Sequence, residues 1–214
     1  TIHICLIGLF LMAQAVVGWY MVKSGLVNDV TVSHYRLSIH LSIAFIIISS
    51  IFWIIMNIKT RKNKNFFELS SHNIPFQILI FLIFAQIIIG AFVSGLDAGK
   101  IYQTWPLMNS TFLPDDIIFV KLNDYFDFSN HSYVQFIHRN LAYIIFFLSI
   151  YIGFIVLKKN DIRLIKAYSI FFFIILIQIF LGVSVLISGV NLYLASLHQI
   201  SSIFLVISSL NLYH

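Results

Sequence analysis

Cysteine and charge are what this sequence has least of. Cys5 is the only cysteine among 214 residues, which excludes a disulfide framework and a cysteine-based metal cluster within the chain. Cys5 itself reads as a lipid-facing or core side chain. Charged residues make up 10% of the sequence, against about 25% in soluble domains, which excludes an ordinary water-soluble globule. The net charge of +5 is no nucleic-acid signature, because the basic residues gather in two short loops between apolar segments. The chain opens on Thr1 and runs almost at once into apolar sequence, and His214 closes another apolar run. It reads as a fragment of a longer protein rather than as a product of signal cleavage, which usually leaves a polar N-terminus.

What the sequence has is apolar length. It is 60% hydrophobic and contains 22 Phe. A helix needs about 20 apolar residues to cross the hydrocarbon core, and six stretches qualify: roughly 4–22, 37–58, 75–96, 134–157, 167–188 and 194–213. Backbone groups cannot go unpaired in lipid, so these are helices. The 59–74 loop carries Lys59, Arg61, Lys62 and Lys64 against Glu68, and the 158–166 loop carries Lys158, Lys159, Arg163 and Lys166 against Asp161. The 97–133 loop is acidic, with Asp97, Asp115, Asp116, Asp124 and Asp127 against Lys100 and Lys121. The positive-inside rule places the two basic loops in the cytoplasm or matrix. The acidic loop and the connections near 23–36 and 189–193 then face outward, and the alternation holds through all five loops.

Two patterns repeat. On the first, third and fifth spans, Gln14 and Gly18 precede Ser24-Gly25, Gln86 and Gly90 precede Ser94-Gly95, and Gln178 and Gly182 precede Ser188-Gly189. Gln and Gly four apart share a helix face. Close helix packing, with Gln bonding across, accounts for the pairs; their recurrence also suits a site framed between repeats. On the second, fourth and sixth spans, His40, His138 and His198 each lie about one turn inside the outer end. His3, His72 and His214 lie near the inner side, and His34 and His131 lie in or beside outer loops without an assigned role.

Ionisable residues inside a membrane are rare and usually functional. One such histidine is accounted for by an interhelical hydrogen bond; three at one depth ask for a ligand. Zinc takes three or four converging ligands, often including Cys or carboxylate, and here the histidines come one per helix with no acidic neighbour in the same turn. Two imidazoles from facing helices, either side of a flat macrocycle in apolar walls, fit haem better. Arg36, four residues before His40, and Arg139, directly after His138, are placed to pair with propionates at the outer interface. Snorkelling to the headgroups is the competing role for both.

The stretches GWYMVKSGL (18–26), YRLSIHL (35–41), GLDAGKIYQTWPLMN (95–109), QFIHRNLAY (135–143) and LHQ (197–199) closely resemble haem A synthases of the proteobacterial and mitochondrial branch. The resemblance covers essentially the whole chain. One departure is His34, where relatives tend to have proline. The resemblance implies an all-α integral membrane bundle: six transmembrane helices here of an expected eight, in two pseudo-symmetric four-helix halves. Residues 1–74 would be two helices of a substrate-haem half, and residues 75–214 a complete haem b half.

The implied activity oxidises a methyl group of haem O to the formyl group of haem A by two hydroxylations, using a bound haem b. By resemblance, His138 and His198 are axial ligands of haem b, with Arg139 beside it. His40, with Arg36, belongs to the substrate haem, its partner histidine being on a helix outside this chain. The catalytic carboxylate, a Glu three residues before that partner, also lies outside; the matching position here is Gln135, and a neutral amide cannot move a proton. No catalytic residue is therefore expected in this chain, and the fragment alone is expected to be inactive. Tyr102, Trp105 and Pro106 pack over the haem edge or form an interfacial aromatic belt.

Implied partners are the bilayer, an enzyme supplying haem O and an electron acceptor, compatibly with a homo-oligomer and without nucleic acid. The implied location is a bacterial or mitochondrial inner membrane, with haem sites toward the outer side. A cytochrome b-type electron carrier is the alternative function. A transporter is disfavoured because the span centres are Ile, Leu and Phe rather than polar.

Overall fold

The computed structural model describes residues 2–25, 32–116 and 127–214. Lys121 and Asp124 of the acidic loop, the connection at 26–31 and the side chain of His3 lie outside the described residues. Six helices form the molecule: α1 Ile2–Gly25, α2 His34–Thr60, α3 Ile74–Gly95, α4 His131–Lys159, α5 Ile162–Ile187 and α6 Leu192–Tyr213. All six are long and apolar enough to cross a membrane, and no strand element occurs among the described residues. The chain is a multi-pass, all-α membrane protein.

The helices overrun the apolar runs, and at α4, α5 and α6 polar caps begin them earlier. The Asn130 side chain accepts the Tyr133 N–H at 3.0 Å and starts α4. Asp161 caps α5 through the Arg163 N–H at 2.8 Å, and Asn191 caps α6 through Tyr193 and Leu194. Each satisfies first-turn donors that the helix itself leaves open. The earlier starts correct one expectation. His40, His138 and His198 sit six, seven and six residues into their helices, nearer two turns than one at 3.6 residues per turn. They still share a depth.

Helices α3, α4, α5 and α6 pack in a closed ring, each against the next and α3 against α6. Helix α2 lies against α3 and α6, and α1 packs on α2. Phe76, Leu79, Ile83, Ile152, Val156, Phe171 and Val206 fill the ring toward the basic loops. Hydrocarbon outside is as apolar as these side chains, so close contact and hydrogen bonds hold the ring rather than water exclusion. Buried Ser149 illustrates both, since its carbonyl accepts from the Tyr168 hydroxyl at 3.2 Å, whose ring lies over Gly153.

At the basic-loop end, residues 61–73 fold back onto α6. Lys64 Nζ donates to the Tyr213 carbonyl at 2.5 Å and sits 4.1 Å over the Tyr213 ring centroid. A cation at the C-terminus of a helix is favoured by both the free carbonyls and the dipole. Trp53 stacks on Tyr213 with centroids 5.5 Å apart and donates to the Lys64 carbonyl at 3.2 Å. Gln77 donates to the Phe66 carbonyl at 2.7 Å, and the Tyr213 hydroxyl donates to the same carbonyl at 2.7 Å. Burial lowers the pKa of the Lys64 ammonium; Glu68 opposes the shift, and the net displacement is downward.

Candidate haem-binding site

The two sequence repeats prove to be halves of one unit. Each histidine ring rests on the glycine of the preceding helix. A Cβ built on Gly18 would lie 3.1 Å from Cε1 of His40, one on Gly90 3.1 Å from Cε1 of His138, and one on Gly182 3.1 Å from Cε1 of His198. Few real Cβ contacts are that tight, so glycine leaves the room the imidazole takes. One turn before each glycine stands the glutamine. Gln14 Nε2 lies 3.1 Å from Nε2 of His40. Gln86 Nε2 lies 3.3 Å from Nε2 of His138 and donates to the His138 carbonyl at 3.0 Å. An amide N–H facing the ring is matched by the tautomer whose Nε2 accepts and whose proton is on Nδ1. That is the neutral tautomer whose Nε2 lone pair can bind a metal. Nδ1 of all three rings is buried without a hydrogen-bond partner.

The third unit departs from the other two. Gln178 turns its Oε1 to the Ser201 hydroxyl, which donates at 2.7 Å and also reaches the His198 carbonyl at 3.1 Å. No hydrogen bond joins the Gln178 side chain to the His198 ring. Residues three after the other histidines are Ile43 and Leu141, so only this unit carries the hydroxyl.

His138 stands on α4 and His198 on α6, the two helices that flank α3 in the ring. Among the described residues no three His, Cys, Asp or Glu side chains converge as a metal cluster would require. An iron inside a macrocycle needs only axial ligands from the protein. Neutral imidazoles, glycine cradles and apolar helix walls fit such a group, with His138 and His198 able to hold it.

Both arginines hold neighbouring protein groups, and Nε of Arg139 stays buried without a partner. Arg139 donates to the carbonyls of Tyr102 at 2.7 Å, Thr104 at 2.9 Å and Leu107 at 3.3 Å. It thereby fastens the acidic-end loop directly above His138. Gln135, 2% exposed, donates to the same Tyr102 carbonyl at 2.9 Å. Arg36 donates to the Ser24 hydroxyl at 2.6 Å and lies 4.9 Å over the Tyr20 ring, joining α2 to α1. The loop trio divides: Tyr102 is buried, whereas Trp105 is 45% exposed and Pro106 is exposed. The Ser-Gly pairs divide too. Ser24 takes Arg36, Gly95 admits the start of α2, and Gly189 adopts φ 71° after α5.

Asp116 was indistinguishable from its acidic neighbours in the sequence, yet it anchors this loop. It accepts from the Tyr102 hydroxyl and the Ser132 hydroxyl, each at 2.6 Å. Burial pushes its pKa up, but the two hydrogen bonds outweigh it and hold the carboxyl below its usual range. Burial and Asp116 together push Tyr102 up. A carboxyl with a depressed folded value stabilises above its unfolded value and loses that contribution as pH falls through the folded one. Hydrogen exchange across residues 98–116 should therefore stay slow at neutral pH and quicken only below the ordinary carboxylate range. Asp116→Asn should quicken it already at neutral pH; exchange in that variant equal to wild type would remove the anchor role.

His131, with Ile101, Asp116, Asn130 and Ser132, lines a shallow hollow of ≈ 350 Å³ beside the anchor. His34 lies tilted against Tyr35 at 4.0 Å and meets Phe92 edge-on at 5.4 Å.

The family model described as COX15-CtaA, cytochrome oxidase assembly protein, matches residues 2–210. The chain is 48% identical over 198 residues to a protein named heme A synthase from Pelagibacter ubique, covering 92% of this chain and 56% of that one. It is 41% identical over 203 residues to the heme A synthase of Wolbachia pipientis wMel, covering 94% and 56%. It is 36% identical over 203 residues to that of Rickettsia africae, covering 90% and 58%. The chain thus spans little more than half the length of the curated relatives it matches. With six apolar helices, a shared-depth histidine set and a family match along nearly its whole length, the chain belongs to the COX15-CtaA family of cytochrome oxidase assembly proteins.

Proposed function

We propose that this chain is part of a haem A synthase. The protein would oxidise a methyl group of haem O to the formyl group of haem A by two successive hydroxylations and loss of water. The observation that carries the reading is the threefold histidine–glycine unit, two copies of which lie within the α3–α6 ring. Residues 75–214 would form the half that takes haem b, with His138 and His198 as the residues that would hold it. Bound there, haem b would supply the reversible one-electron chemistry of its iron. Arg139 acts in that half by holding the loop over His138, and residues 1–74 belong to the half that receives haem O. His40 is a ligand there and Arg36 ties its two helices together.

The partner histidine and the acid–base carboxylate belong to the part of the relatives that this chain does not span. Gln135 supports that division, because a buried amide fastened to a loop carbonyl positions rather than transfers protons. The sites lie toward the outer face of an inner membrane, opposite the basic loops. A haem O-supplying enzyme and an electron acceptor complete the set of partners.

The test expresses the full-length gene in a host that makes haem O and identifies the haems extracted from the purified protein by chromatography and mass. Haem b together with haem A or a hydroxylated intermediate is the expected result. Haem b with haem O unmodified would make the protein an electron carrier, the function that two axial histidines alone would serve. Protein without haem would overturn both.

A further inference from the structure

The three histidine units are equal in their glycines and unequal in their glutamines, and the inequality falls within the pair proposed to share one haem. At His138, the Gln86 carboxamide covers the ring Nε2 at 3.3 Å, the atom an iron would take. At His198, the corresponding carboxamide is held away by Ser201 at 2.7 Å. The glutamine oxygens follow suit. Oε1 of Gln14 and Oε1 of Gln86 are buried without a partner, whereas Oε1 of Gln178 is satisfied by the serine hydroxyl. A buried carboxamide with one unpaired end takes whatever partner is in reach. Without Ser201, Gln178 would have the same reason to turn to His198 that Gln86 has to turn to His138.

We propose that Ser201 is a positioning residue that keeps Gln178 off His198, making His198 the anchoring and His138 the releasable ligand of the haem. The inference rests on the haem reading above. An iron approaching His198 meets no competing carboxamide, only the Gln178 backbone carbonyl within reach of the ring. An iron approaching His138 must displace the Gln86 amide, so that bond is weaker by about one net hydrogen bond. Such a bond corresponds to a few-fold to tenfold change in an equilibrium.

The experiment uses the full-length protein loaded with haem and solubilised in detergent. Visible and electron paramagnetic resonance spectra report axial ligation, and transfer of haem to an excess of apomyoglobin reports its release. Wild type is expected to show two imidazole ligands. Ser201→Ala should release haem about fivefold faster, because Gln178 is freed to compete for His198. Ser201→Ala combined with Gln178→Leu should return to the wild-type rate, which a merely structural role for the hydroxyl would not produce. Gln86→Leu should release haem more slowly than wild type. Two-imidazole spectra with Ser201→Ala at the wild-type rate would overturn the proposal alone, as would a double variant as fast as Ser201→Ala. A wild-type spectrum without two imidazoles would overturn the haem reading and the proposal with it.

Discussion

Valine at Gly90 is expected to strip haem from the α3–α6 ring as completely as alanine at His138, although the histidine remains. The added Cβ would lie 3.1 Å from Cε1 of His138 and 3.7 Å from Nδ1. The two further methyl groups of valine reach past that into the ring. Helix α3 cannot retreat, since α2, α4 and α6 all pack against it, so the imidazole must swing. Overpacking of this kind costs about 1–3 kcal/mol, roughly a fivefold to 150-fold loss in binding constant at about 1.4 kcal/mol per tenfold. The haem-to-protein ratio, read as pyridine haemochrome against protein mass after washing out free haem, should fall about fivefold or more, with the variant still monodisperse in detergent. Gly182→Val should do the same at His198. Gly8 provides the control, because nothing lies within 4 Å of a Cβ built there, and Gly8→Val should leave the ratio unchanged. Full occupancy in Gly90→Val would mean that the glycine does not cradle the ligand.

Alanine at Gly95 is expected to produce the largest loss of stability of any single methyl added to this chain. The obstacle is backbone rather than a flexible tip: its Cβ would lie 2.8 Å from Cα and 2.7 Å from Cβ of His34. No rotamer relieves such a clash, so the start of α2 must move off α3. Moving it opens the edge contacts of Phe92 with His34 at 5.4 Å and with Tyr35 at 5.3 Å. A cost near the top of the overpacking range, about 3 kcal/mol, corresponds to roughly 6–12 °C in the unfolding midpoint of a chain this size. Thermal unfolding in detergent, followed by tryptophan fluorescence, measures it. A midpoint within a degree of wild type would show that the helix pair yields at no cost.

These two glycines also mark how far the sequence could be read. Helix number and order were legible, because lipid demands length and apolarity in every span and puts charges in loops. The three histidines were legible because ionisable groups at one depth are costly. The glutamine–glycine repeat was visible too, but as a separate pattern. Periodicity on one helix says which residues share a face and not which side chain of another helix rests on it. Only the packing joins Gly90 to His138. Arg139 suggested a cofactor contact by its position, yet three loop carbonyls take its donors, and which acceptors fold within reach of a guanidinium is a matter of loop path. Ser201 is one serine among several on a helix, and Asp116 one aspartate in an acidic loop. Neither differs from its neighbours until the fold supplies Gln178 or Tyr102. Lys64 reads in the sequence only as one charge of a basic loop.

That last residue bears on how the bundle is made. Lys64 and the Tyr213 carbonyl it grips are 149 residues apart. At about 5–20 residues per second, a ribosome delivers Tyr213 roughly 7–30 s after Lys64. Through that interval the turn between α2 and α3 has neither the carbonyl for its lysine nor the ring for Trp53 to stack on. Insertion of the sixth helix is therefore the event that clasps the turn. A chain stalled in synthesis before α6 would keep its earlier helices in the membrane with an unclasped aromatic turn at the surface, a distinguishing mark by which quality-control proteases could tell unfinished molecules from finished ones.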